Sequence, residues 1–110
     1  MAIQSTAIGT SVTTLYTSSG ENAVTNIMFC NTVPYNPAFP NTGLAYLTVY
    51  LVKSGDNATS TNMVVNYLPI PAGETFSFDA EKIILGNGDS VRALADVTAT
   101  LVATVSTLPV

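Results

Sequence analysis

The chain has 110 residues, of which 47% are hydrophobic and only 9% charged, and its net charge is −4 at pH 7. This length fits one domain of common size, and the apolar content excludes a disordered chain. No apolar stretch reaches the roughly 18 residues of a membrane-spanning helix. With only three basic residues and no basic cluster, binding to nucleic-acid phosphates is also excluded.

Small polar residues take the place of charged ones: the chain has 16 Thr, 9 Ser and 9 Asn. Thr suits the pleated surface of a strand, so this composition favours β structure. A surface of hydroxyls and amides is also easier to desolvate against a neighbouring subunit than one of Lys and Glu, which interface cores avoid. The composition therefore favours a protein that works inside an assembly, such as a homo-oligomer or a multi-copy particle, over an unusually neutral monomer.

The chain is predicted to consist of an N-terminal segment followed by one domain. Residues 1–11 form an arm or a first edge strand, and residues 12–110 a single β-sandwich domain. Val12–Thr17 and Ala23–Asn31 are predicted strands separated by a Ser-Ser-Gly-Glu turn. The centre of the second strand, Ile27–Cys30, is apolar on both faces, so it is either covered inside the sandwich or part of a subunit contact. Its cysteine is expected to be a small buried hydrophobe.

The next segment, Thr32–Gly43, is predicted to be a long loop stiffened by three prolines, which exclude a central strand. Loops of this length are often functional. It is either an aromatic finger that docks on a partner or a flap whose aromatic rings cover one end of the core. The candidate contact residues here are Tyr35, Asn36, Phe39 and Asn41.

The clearest strand is Leu44–Lys53, where side chains alternate between two faces. One face, predicted to point into the core, contains Leu47, Val49 and Leu51. The other is a second candidate contact patch, or a set of solvated aromatics that pair across strands. Its members are Tyr46, Thr48 and Tyr50.

The remaining chain predicts further short strands at 63–69, 75–78, 82–85, 90–95 and 98–108. In the turn at 86–89, Asn87-Gly88 is expected to supply positive φ. About seven or eight strands and no helix predict an all-β antiparallel sandwich. Its strand order, immunoglobulin-like or jelly-roll, stays open.

No constellation of catalytic or metal-binding residues is visible. The chain has no His and a single Cys, and it lacks phosphate-binding and nucleophile motifs. Asp79 and Glu81 could share a face, but they are expected to form a solvated turn. We therefore predict no enzyme activity, no cofactor and no metal.

Four segments together resemble small virion structural proteins of tailed bacteriophages, of the kind found in cyanophage-like particles. The segments are Ile27–Asn31, Leu47–Val52, Ile70–Thr75 and Gly88–Ala93, and the similarity extends from about Thr13 to Ser106. The resemblance implies a small β-sandwich in the virion, assembled in the host cytoplasm. The composition separately predicts no membrane and no nucleic-acid partner. It implies the major capsid protein or other virion proteins as partners.

Three functions follow as expectations. The first is a capsid decoration or cement protein bound to the major capsid shell. The second, close to the first, is a neck, tail or fibre-adaptor subunit. The third is a glycan-binding module at a tail tip, with its site on the proline-containing loop Thr32–Gly43, the aromatic loop.

Overall fold

The computed structural model describes residues 2–39, 42–78, 83–96 and 101–109, which form nine β-strands and no helix. The strands are β1 (Ala2–Ile8), β2 (Thr13–Thr17), β3 (Asn22–Asn31), β4 (Ala45–Val52), β5 (Met63–Ile70), β6 (Thr75–Phe78), β7 (Ile83–Leu85), β8 (Ser90–Ala95) and β9 (Leu101–Pro109).

The strands form two antiparallel sheets packed as a sandwich. Sheet I has the order β1-β9-β3-β6, with β7 also pairing with β3, and sheet II has the order β2-β8-β4-β5. All pairings are antiparallel. The chain passes from sheet I to sheet II after β1, where the backbone N–H of Ala95 donates to the carbonyl of Gly9 at 3.0 Å.

Alternation of apolar and polar residues places the core between the sheets. In β9, for example, Leu101, Ala103 and Val105 are fully buried while the residues between them are partly exposed. The core residues come from both sheets; the largest fully buried ones are Phe29, Ile8, Leu15, Ile27, Leu47 and Leu101. The predicted core face of β4 is confirmed, since Leu47 and Val49 are buried and Leu51 packs against the cluster.

The all-β sandwich is confirmed, with nine strands rather than seven or eight. The ninth strand is β1, in the segment 1–11 for which an arm or a first edge strand was expected, and it pairs with β9 over its full length. The prediction for Cys30 is wrong, because its thiol is exposed. Ile27 and Phe29 point into the core, so Met28 and Cys30 must point away from it. The turn prediction is half right: Gly88 has positive φ, but Asn87 does not.

Candidate contact surfaces

Charge is almost absent from the strands. Among the residues of the nine described strands, Arg92 is the only charged one. The other charged residues in the described part of the chain, five acids and one lysine, occur in segments between strands. The flat faces of the sandwich are therefore almost free of charge, with Arg92 on sheet II as the exception in the described strands.

The outer face of sheet I is a neutral surface of hydroxyls and small apolar groups. Met28 in its middle lies between Ser77 on β6 and Thr104 on β9. Hydroxyls bridge the strands: Ser5 Oγ lies 3.3 Å from Thr104 Oγ1, and the Ser77 hydroxyl donates to Asn26 Oδ1 at 3.2 Å. These bonds satisfy polar groups without charge, which leaves the face easy to desolvate.

The loop at 32–43 is fixed at both ends by one buried side chain, Asn31, which is 1% exposed. Its Nδ2 donates to the carbonyl of Gly43 at 2.7 Å and to that of Ile70 at 2.9 Å. Its Oδ1 accepts from the backbone N–H of Val33 at 3.1 Å. Gly43 itself has φ +84°, and a Cβ there would lie 2.9 Å from Val33 Cβ. Asn31 therefore joins the first and last turns of the loop to β5.

Within the loop, local hydrogen bonds hold the aromatic residues outward. Asn36 Oδ1 accepts from the backbone N–H of Ala38 at 3.0 Å, and the Asn36 carbonyl accepts from that of Phe39 at 3.0 Å. Tyr35 is 56% and Phe39 is 65% exposed. The rings do not cover the core, so the flap interpretation is wrong. The fourth candidate, Asn41, lies outside the described residues.

The second predicted patch, on β4, is largely covered by the chain itself. Thr48 is 5% and Tyr50 is 9% exposed, and only Tyr46 remains partly accessible. The expectation of one exposed Tyr-Thr-Tyr face is wrong because β4 is an inner strand of sheet II. Residues on its outer face are flanked from both sides: Tyr50 pairs with Arg92 of β8 and with Met63 of β5.

Sequence analysis missed Tyr67, an exposed residue on β5. It has φ +54°, which side-chain-bearing residues rarely adopt. Its ring stacks on Tyr46, with centroids 4.4 Å apart and planes inclined by 7°. Its backbone N–H donates to Thr48 Oγ1 at 3.3 Å. The pairing of β4 with β5 shifts register on both sides of Val49, and Tyr67 lies in this irregular stretch. No pattern in the sequence around Tyr67 indicates a bulge.

The turn at 86–89 is linked by side-chain hydrogen bonds to two other connections of the chain. Asp89 accepts through Oδ1 from the backbone N–H of Ser54 and through Oδ2 from that of Gly86, both at 2.9 Å. Asn87 Oδ1 accepts from the N–H of Gly20 at 2.9 Å. Three connections of the chain are thus joined at one end of the sandwich.

The described ranges contain no cluster of three or more His, Cys, Asp and Glu side chains that could hold a metal ion. Asp79 and Glu81, the conceivable acid pair, lie outside the described residues. In the described part of the chain no helix is long and apolar enough to cross a membrane.

Comparison of the chain with protein-family models, curated proteins and solved structures found no match.

Proposed function

We propose that the protein is a structural subunit of a bacteriophage virion, a capsid decoration protein that binds the major capsid shell. The observation that supports this function best is the near absence of charge from the described strands, in which Arg92 is the only charged residue. A decoration protein has to cover its neighbours with little desolvation cost and needs no chemistry of its own.

The aromatic loop is the element proposed to contact the shell. Burying an aromatic side chain from an exposed position contributes roughly 1.5–3 kcal/mol. Tyr35 and Phe39 are already held outward by the hydrogen bonds around Asn31 and Asn36. Because these hydrogen bonds fix the described part of the loop, residues 32–39, before binding, less conformational entropy is lost when it docks.

The test is co-sedimentation of the purified protein with capsids of the encoding phage that lack it. We expect saturable binding that the double substitution Tyr35→Ser/Phe39→Ser abolishes. The matched control is Val64→Ser, which removes an exposed apolar side chain from β5, far from the loop in sequence. Failure of the wild-type protein to co-sediment with capsids would refute the function. Equal loss in both variants would refute the role of the loop.

A glycan-binding module is a second candidate, because exposed Tyr35 and Phe39 flank the amide of Asn36 in the described part of the loop. Aromatic faces and amides are the groups with which a shallow protein surface contacts sugar rings. A glycan array separates the two functions: specific hits that disappear with Tyr35→Ser support this candidate, and an array without hits removes it.

A further inference from the structure

Three of the four edges of the two sheets are interrupted in ways that prevent another strand from pairing. In β2 a register shift separates Thr14 from Tyr16. In β5 there are two register shifts, a proline at position 69 and the left-handed Tyr67. The remaining edge of sheet I is divided in its described part between β6, which pairs with residues 27–30 of β3, and β7, which pairs with residues 22–24. Bulges, prolines and short strands are the usual means of protecting sheet edges.

The fourth edge, β1, has none of these features. Its seven residues pair with β9 in one continuous register, from Ala2 opposite Thr107 to Ile8 opposite Leu101. The strand contains neither proline nor a charged residue. As the terminal strand of sheet I it directs alternate N–H and C=O groups away from β9. Among the described residues no strand pairs with this side of β1, which makes it a template for one more strand.

We propose that β1 pairs with β1 of a second copy of this chain. The pairing is antiparallel about a two-fold axis and joins the two copies of sheet I into one continuous sheet. Such an interface is isologous, so it needs only the one surface that the chain offers. Maximal overlap of the seven residues places the axis at Ser5, opposite Ser5 of the second copy.

The side chains of β1 suit a second copy of the chain in particular. Ile3, Ser5 and Ala7 share the outer face of sheet I, where Ser5 contacts Thr104. In the proposed register Ile3, which is 72% exposed, lies opposite Ala7 of the second copy. Two apolar contacts related by the two-fold axis result. Copies with a net charge of −4 repel each other, and an approach along β1 and β9 brings together strands without any charge.

The size of the contact sets the expected strength. A seven-residue strand is about 24 Å long, and pairing along this length alone gives an interface at the small end of the range for proteins. We therefore expect a dimer that dissociates on dilution. The inference rests on the proposed function, because a second copy of the chain is one of the neighbours that an assembly subunit contacts. Its test needs no capsid.

The experiment is sedimentation velocity of the purified full chain between about 1 μM and about 1 mM. We expect a concentration-dependent dimer. Ser5→Lys places two ammonium groups against each other at the axis and is expected to weaken the dimer at least about tenfold. The matched control is Thr14→Lys, also an exposed hydroxyl residue on an edge strand, which should leave dimerisation unchanged.

A wild-type protein that stays monomeric throughout this range overturns the proposal. So does a Ser5→Lys variant that dimerises like the wild type, or equal weakening in both variants. Hydrogen exchange provides a check without substitutions: the amides of residues 2–8 should gain protection in the concentrated sample, and unchanged exchange there would also overturn it. A protein that dimerises through β1 but does not bind capsids supports this inference and refutes the proposed function.

Discussion

Replacing Asn31 by Ala tests the claim that one buried amide holds the aromatic loop. The substitution removes two donated hydrogen bonds, to Gly43 and Ile70, and one accepted from Val33. Each such bond contributes about 1 kcal/mol net, and a buried group that loses its partner costs more. With three bonds lost at a fully buried position, we expect the free energy of unfolding to fall by about 3–5 kcal/mol. That is a large part of the roughly 5–15 kcal/mol of an ordinary domain.

Urea unfolding followed by tyrosine fluorescence and circular dichroism measures this loss. The matched control is Asn26→Ala on the same strand, where the side chain is half-buried and accepts one bond from the exposed hydroxyl of Ser77. We expect the control to cost about 0.5–1 kcal/mol. Asn31→Asp keeps the volume but turns an oxygen toward two carbonyls, so at neutral pH it should destabilise at least as much as Ala. A loss below about 1 kcal/mol for Asn31→Ala would refute the reasoning.

Three further outcomes are expected from purified variants. Gly88→Ala should lower the free energy of unfolding by about 2 kcal/mol or more, because φ is +89° and the new Cβ would lie 2.9 Å from Ser54 Cβ. The control Gly20→Ala, at φ +76° in open space, should lower it by only about 1 kcal/mol. Equal losses in the two variants would contradict the steric argument. Tyr67→Gly should be more stable than Tyr67→Ala in urea unfolding, since both lose the ring stack and only Gly relieves the left-handed backbone. Cys30 should react with a thiol reagent in the native protein as fast as in the unfolded chain, and labelling only after unfolding would contradict its exposure.

Much of the fold could be predicted because alternation of apolar and polar residues along a strand indicates which of its two faces is buried. In Leu44–Lys53 a two-residue period marks the buried face, and the structure buries Leu47 and Val49 as expected. Alternation failed at Cys30, where apolar residues occur on both faces of the strand. A run such as Ile27–Cys30 does not indicate which side is covered, and in the structure only the side of Ile27 and Phe29 is.

The candidate sites were harder to predict because exposure depends on strand order. Tyr46, Thr48 and Tyr50 form a free face only on an open edge, and β4 is an inner strand between β5 and β8. The loop residues Tyr35 and Phe39 could be predicted as candidates from three nearby prolines. The amide that holds their loop could not, since its partner carbonyl on Ile70 is 39 residues away.

The near absence of charge from the described strands determines how contacts through the sheet faces respond to salt. Attraction between exposed charges is screened beyond about 8 Å at physiological ionic strength, so assemblies joined by ion pairs loosen as salt rises. Faces made of Thr, Ser and apolar side chains have little such attraction to lose. Added salt would instead screen the repulsion between the acidic ends of neighbouring copies. Contacts built on these faces should therefore hold from dilute buffer to concentrated brine.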